Sequence, residues 1–161
     1  NKNIGFYLNT KLSAEILLKN YFEIYESFSF IRPFFIYGVG QKKNMLIPTL
    51  LKKVKENTEI NIDGKNGICL NPIYVTDAAN AVAKVLDLDE SLVVNISGNE
   101  IISFRELTSI IARQFKKKPI IKSNTSQPRD LIGDNTIMNE KLVKPKTSLK
   151  LGIKKMIESL K

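Results

Sequence analysis

Residues 28–38 read FSFIRPFFIYG. Seven of these eleven positions are Phe, Ile or Tyr, types that pack well on a pleated surface. The run is almost continuously apolar rather than alternating. That pattern belongs to a strand covered on both faces, as in a parallel sheet. Gly38 and Gly40 then signal a loop. Parallel strands need crossover connections, usually helical, so helices are expected on either side of this stretch.

The flanks supply them. Residues 7–26 lack Gly and Pro and place Leu8, Leu12, Ile16 and Tyr21 at roughly helical spacing. Residues 44–56 read as a second helix, and EINI (59–62) as a short strand ending at the Asp63–Gly64 turn. GICLNPIYV (67–75) is extended, with Pro72 arguing for an edge position. Thr76 is placed to cap a helix over 77–88, and Asp77 suits its dipole. LVVNIS (92–97) is a second buried-type strand. Ser103 and Glu106 form a capping-box pattern for a helix over 104–117. PIIK (119–122) is a short strand, 123–136 a polar loop, and Ser148 caps a last helix over 149–160. The class is α/β. The strands at 28–36 and 92–97 need more neighbours than the short remaining strands offer, and an unpaired strand of this kind is an aggregation template. The main sheet is therefore expected to be partial, completed by more of a longer chain or by another polypeptide.

Composition narrows the chemistry. The 161 residues, 43% hydrophobic, suit one domain or a large part of one. No apolar run approaches the roughly 18 residues of a membrane span. The first residues show no secretory-signal pattern, although a chain beginning with Asn leaves a removed signal open. With one cysteine, Cys69, and no histidine, an internal disulfide, the usual zinc clusters and Ser-His-Asp or Cys-His catalysis are excluded. No metal site is expected, and the cysteine usage reads as intracellular, cytoplasmic. The net charge of +9 comes from scattered lysines, with only four arginines. That suits solvated helix faces, so neither nucleic acid nor a membrane is expected as a partner.

Tyr7 and Lys11, four apart, share one helix face. A free phenol, with a pKa of about 10, is a poor base at neutral pH. A neighbouring ammonium stabilises the phenolate, which can then exchange a proton with a substrate hydroxyl. Five tyrosines among many lysines produce such a spacing by chance, so the pair needs support from its surroundings.

That support is an ordered series of blocks: YLNTKLSAEILLKNY, FSFIRPFFIYGVGQ, MLIPTLLKKV, INIDG, NPIYVTDAANAV, VVNISGNEIISFREL and RDLIGDN. Over 5–160 the series resembles the C-terminal half of the extended short-chain dehydrogenase/reductase family. The group concerned is the NAD-dependent epimerases and dehydratases, which include UDP-glucose 4-epimerases and NDP-sugar dehydratases. The resemblance implies a partial Rossmann-type parallel sheet plus a small C-terminal substrate-binding α/β lobe. Residues 1–40 would be the last part of the dinucleotide-binding domain. Residues 41–161 would be mainly the substrate lobe, with 76–98 returning to the main sheet. It implies Tyr7 as catalytic acid/base and Lys11 as its activator and ribose ligand. Pro33 and Phe34 would lie beside the nicotinamide of NAD or NADP in the complete enzyme. Phe35, Met45, Leu46, Asn61, Ile62 and Asp63 would line a pocket for a small-molecule substrate, with a nucleotide sugar as the family's example. Asp77 would be a structural residue at a helix start, and Asn95 would lie in a late strand of the main sheet. The expected partner is a second copy, as a homodimer, or a missing N-terminal half.

Several family features have no counterpart in the sequence. The Gly-rich dinucleotide loop, acidic ribose ligand and catalytic Ser/Thr lie upstream of the tyrosine in the family. GVG at 38–40 lacks a third glycine at 43. Phe35 stands where sugar-nucleotide members usually carry Asn. The family's diphosphate arginines near Leu70 and Gln127 are absent, and Arg129 is the candidate replacement for one. A smaller or less phosphorylated carbonyl or alcohol is therefore expected as substrate. By itself the chain is expected to be inactive; the alternative is a non-catalytic split or degenerate module. FFIYG reads as core and loop, Cys69 as a small buried apolar residue, and Glu106 as a cap.

Overall fold

The computed structural model describes residues 5–160, so the first four positions of the 1–40 segment lie outside it. In chain order the elements are α1 (Phe6–Leu18), β1 (Phe30–Pro33), β2 (Ile36–Tyr37), α2 (Leu46–Lys55), β3 (Ile60–Ile62) and β4 (Cys69–Leu70). Then follow β5 (Ile73–Tyr74), α3 (Val75–Val85), β6 (Val93–Ile96), β7 (Ile102–Ser103), α4 (Phe104–Gln114), β8 (Ile121–Ser123) and α5 (Leu149–Glu158). A 3-10 turn extends α1 over Lys19–Glu23, and a π-helical turn spans Met138–Leu142.

The two apolar stretches that suggested a parallel sheet do pair in parallel. β1 lies beside β6, Phe30 opposite Val93 and Pro33 opposite Ile96. The expected single strand over 28–36 is nevertheless broken. Phe35 has a φ of 39°, in the left-handed region. There the chain leaves β6, and β2 continues in parallel with β5. β1 is also less buried than its composition predicted, with Arg32 and Pro33 exposed, because β6 is its only strand neighbour among the described residues. β3 pairs in parallel with β8, and β4 antiparallel with β7. Pro72 lies between β4 and β5 rather than on an edge strand.

Helix starts follow local chemistry. Ser103 Oγ accepts from the Glu106 N–H at 3.2 Å, and the Ser103 N–H donates to Glu106 Oε2 at 2.9 Å. This is the capping box the sequence predicts. Ser148 Oγ accepts from the Leu151 N–H, capping α5. Thr76 does not cap α3. The chain leaves β5 extended at Tyr74, so the helix begins at Val75 and Thr76 falls inside its first turn. Asp77 is buried there and accepts from the Thr147 N–H at 2.9 Å.

Two apolar clusters result. The larger packs α2, α4 and α5 around Tyr37, Ile62, Leu70 and Tyr74. The smaller sets Ala78 and Ala81 of α3 against Val94 and Ile96 of β6. In the larger cluster Tyr37 meets Tyr74 edge-on at 5.5 Å, and its buried hydroxyl has no hydrogen-bond partner among the described residues. Burial, first of all, pushes that phenol well above its ordinary value, with the Glu100 carboxylate adding to the effect. Gly152 makes room for the ring: a Cβ at 152 would lie 2.3 Å from the Tyr37 hydroxyl oxygen.

α1 is different. Leu8, Leu12, Ile16 and Tyr21, whose spacing predicted the helix, are all exposed, and no residue of α1 is buried. Its α-helical part ends at Leu18, eight residues short of the expected 26, because Tyr21, Phe22 and Tyr25 turn to stack on Phe28 and Phe30. A bidentate ion pair ties α1 to the sheet: Arg32 Nε donates to Glu15 Oε2 at 2.9 Å, and Arg32 Nη2 to Glu15 Oε1.

Two consequences are measurable. Tyr37→Phe removes a buried, unpartnered hydroxyl and is expected to raise stability by about 1 kcal/mol in urea unfolding, whereas Gly152→Ala lowers it by about 1–3 kcal/mol. Arg32, chiefly through its side-chain hydrogen bonds, holds the Glu15 carboxyl below the usual glutamate range. Because the folded-state value is the lowered one, the tether is intact above the ordinary glutamate value and is lost as pH falls through the lowered one. Amide protection factors at Ile16–Leu18 are expected to fall on acidification relative to those in α4, and Glu15→Gln is expected to remove that pH dependence.

Candidate active site

Lys11 follows Tyr7 by one helical turn, and its Nζ stands 5.3 Å from the centroid of the Tyr7 ring. The pair borders a cleft of about 650 Å³ between α1 and the β1–β2 corner. Pro33, Phe34 and Phe35 line the same cleft. Five residues predicted from sequence, from two separate segments, thus share one cavity. The Glu15–Arg32 pair lies in its wall and holds α1 beside β1. Tyr7 remains 68% exposed.

The chemistry available here is narrow. A phenol has a cation beside it, and the facing walls are apolar. Pro33 is exposed and Phe34 half-buried. Phe35 is half-buried too, packing on the larger core while it lines the cleft. FFIYG is therefore divided: Tyr37 is core, but Phe34 and Phe35 form cleft wall.

The other predicted residues do not line this cavity. Met45 is exposed just before α2, and Leu46, its first residue, packs on the larger core. In β3 the side chains alternate, so Asn61 faces outward and Ile62 inward. Ile62 is 1% exposed in the core, which removes it as a direct ligand contact. The Asp63 carboxylate accepts from Asn124 Nδ2 at 2.6 Å. Arg129 is exposed in the loop before β-bridge residue Leu131. Leu70 is fully buried and bridges to Leu131, so the family's arginine position near Leu70 is here part of the core.

Two contributors escaped the sequence reading. Leu131 lines the cleft from about 100 residues away in sequence; its only signal is an apolar Leu131–Ile132 pair within a polar loop. The Glu15–Arg32 tether had a fainter one, an arginine inside an otherwise apolar strand. Cys69 is half-buried rather than buried. Desolvation, followed by the Asp130 carboxylate, pushes its thiol up, away from the nucleophilic thiolate. Among the described residues no cluster of His, Cys, Asp and Glu could hold a metal, and no helix is long and apolar enough to cross a membrane.

Comparison with known proteins bears on the fold and the family. Over 127 residues the chain is 27% identical to a dTDP-4-dehydro-6-deoxy-D-allose reductase from Streptomyces bikiniensis, covering 76% of this chain and 39% of the reductase. Its fold is similar to that of UDP-glucuronic acid 4-epimerase from Bacillus cereus, solved with NAD. The TM-score is 0.81 at 22% identity, covering 98% of this chain and 54% of the epimerase. RMD from Pseudomonas aeruginosa, solved with NADPH, matches with a TM-score of 0.77 at 21% identity, covering 95% of this chain and 55% of RMD. The chain thus spans between two fifths and just over half of these proteins. The profile of the NAD dependent epimerase/dehydratase family matches residues 2–97, more than half of the sequence, and the chain belongs to that family.

Proposed function

We propose that this chain carries the acid/base and substrate-facing part of an NAD(P)-dependent sugar-nucleotide-type epimerase, dehydratase or reductase. The observation that carries the reading is the cleft that brings Tyr7 and Lys11 together with Pro33, Phe34 and Phe35. An apolar wall facing a phenol–ammonium pair fits a nicotinamide ring and its ribose. When bound, the cofactor supplies a hydride acceptor or donor. Tyr7 then takes a proton from, or returns one to, the substrate hydroxyl. Lys11 stabilises the negative charge that develops on the phenol oxygen and holds the ribose. Phe35 and Leu131 contribute apolar surface for the substrate. No Gly-rich strand-loop-helix occurs in the sequence, so on this reading the dinucleotide pyrophosphate is held by the N-terminal half of the complete enzyme. That half would also cover Tyr7.

A second reading rests on α1. Its apolar residues point in several directions and none is buried, the pattern of a helix covered on more than one side. A non-catalytic module that pairs with a separate half, or with itself, would use the same surface.

The readings are separable. Titrated with NAD, this chain alone is expected to bind more weakly than about 100 μM; a dissociation constant in the low micromolar range would contradict the proposal. In a polypeptide that joins it to a Gly-rich half, Tyr7→Phe is expected to lower kcat by about 10²–10⁴-fold with little change in nucleotide-sugar binding. Full activity in that variant sinks the acid/base assignment. In light scattering, the isolated chain is expected to self-associate through α1, and Ile16→Lys to reduce the association. A monodisperse monomer that binds no hydrophobic dye excludes an uncovered α1 surface.

A further inference from the structure

Between β4 and β5 lies Asn71, 2% exposed. Its Nδ2 faces three oxygens: the Gly133 carbonyl at 2.8 Å, Ser97 Oγ at 3.1 Å and the Gly98 carbonyl at 3.1 Å. Its Oδ1 accepts from the Gly133 N–H at 2.9 Å. The two ends of this amide cannot be exchanged, because only the nitrogen has hydrogens for those oxygens. Ser97 Oγ passes the contact on, donating to the Gly133 carbonyl at 2.9 Å. Gly133 is thereby held at both its N–H and its carbonyl.

Gly133 in turn sits against Phe34. A Cβ at 133 would lie 2.9 Å from Phe34 Cγ and 3.0 Å from Ser97 Oγ. Two residues earlier, the Leu131 N–H donates to the Cys69 carbonyl at 2.9 Å, and Leu131 lines the cleft. The ring of Phe34 and the side chain of Leu131 are both cleft wall, and both lie within two residues of Gly133 or in contact with it.

We propose that Asn71 is a positioning residue for the Tyr7 cleft: its side-chain amide clamps Gly133 and so fixes the walls formed by Phe34 and Leu131. Its meaning for catalysis rests on the function proposed above, but the clamp itself does not. The position requires an amide. Alanine leaves the Gly133 N–H without its acceptor and takes one donor from each of three oxygens, although the Gly133 carbonyl keeps Ser97 Oγ and the Gly98 carbonyl keeps Asn135 Nδ2. A carboxylate keeps the acceptor but sets negative charge against three oxygens.

Residue-resolved hydrogen exchange on this chain tests the clamp, with the Phe34 ring resonances as a second reporter. Asn71→Ala is expected to raise exchange at Leu131 and Gly133 by about tenfold or more, leaving Leu107 and Ile111 of α4 unchanged. Asn71→Asp adds a pH signature. The introduced carboxyl meets one N–H and three oxygens. Its acidic neighbours are Asp130, engaged with the Cys69 N–H, and Asp134, engaged with Thr136. The Gly133 N–H favours its charged form. Burial, the three facing oxygens and the two like charges disfavour it and outweigh that single contact while the loop is docked, so its docked value is raised. Docking then holds at low pH and is lost as pH rises, a dependence the unmodified chain lacks. The Phe34 resonances are expected to shift with the same pH midpoint. Unchanged protection at Leu131 and Gly133, loss spread equally into α4, or Phe34 signals that ignore the variants would overturn the proposal. If neither Asn71 variant folds, Ser97→Ala decides. Several-fold faster exchange confined to Gly133 supports the clamp; no change, or a general loosening, overturns it. Failure of the cofactor reading would appear in the NAD and Tyr7 measurements and would leave this exchange pattern intact.

Discussion

The left-handed backbone at Phe35 is the constraint from which the site follows. A residue with a Cβ enters this region at a cost of about 1–3 kcal/mol. It stays because hydrogen bonds hold both flanks: the Phe34 N–H donates to the Ile96 carbonyl, and the Phe35 carbonyl accepts from the Ile73 N–H. One strand path therefore exchanges β6 for β5 at a single residue. The corner leaves Phe34 and Phe35 only partly covered, and the cleft beside Tyr7 is the space it opens. It also bears on the Asn that sugar-nucleotide members usually carry here. Asn is among the few residues that tolerate left-handed backbone, so the position has a conformational reason for Asn apart from any substrate contact. Phe35 keeps the conformation and replaces an amide with apolar wall.

The helix bearing Tyr7 is joined to this corner with very little. No residue of α1 is buried, and the Glu15–Arg32 pair crosses from helix to sheet. An ion pair this exposed contributes little stability by itself. It does fix the register of helix against strand, because a planar guanidinium meets both carboxylate oxygens in one orientation. The placement of Tyr7 opposite Phe34 thus depends on geometry more than on burial, and further apolar cover over α1 would supply the missing energy.

Much of the fold was legible from local chemistry. Ser103 with Glu106, Ser148, and the Asp63–Gly64 turn act through neighbours a few residues away, and each sits where the spacing put it. The parallel pairing of the two apolar strands was legible as well, since hydrophobic character alone marks a sheet interior. What failed depended on distant partners. An unbroken apolar run cannot show that its partner strand changes at Phe35. Thr76 looked like a cap because nothing nearby reveals that the chain enters α3 directly from β5. In the cleft, Tyr7 and Lys11 were legible as a pair on one helix face, while Pro33, Phe34 and Phe35 were named only through the family resemblance. Leu131, Asn71 and the inward turn of Ile62 are properties of tertiary packing, and one apolar pair in a polar loop was their only trace.

The same packing sharpens the expected substrate. Near Leu70, where the resemblance places a diphosphate arginine in the family, the chain has a fully buried leucine bridged to Leu131. Seating a guanidinium there would bury a charge in the larger core without a partner. The leucine is thus built into the fold, and the neighbouring loop has turned its own leucine toward the cleft. Arg129, the candidate replacement, stands exposed outside that wall. On the proposed reading, recognition near Tyr7 then depends on apolar surface from Phe34, Phe35 and Leu131. A cleft walled in this way binds a sugar carbon bearing hydrogen more readily than one bearing a hydroxyl, because a buried hydroxyl facing these three side chains would find no hydrogen-bond partner on them.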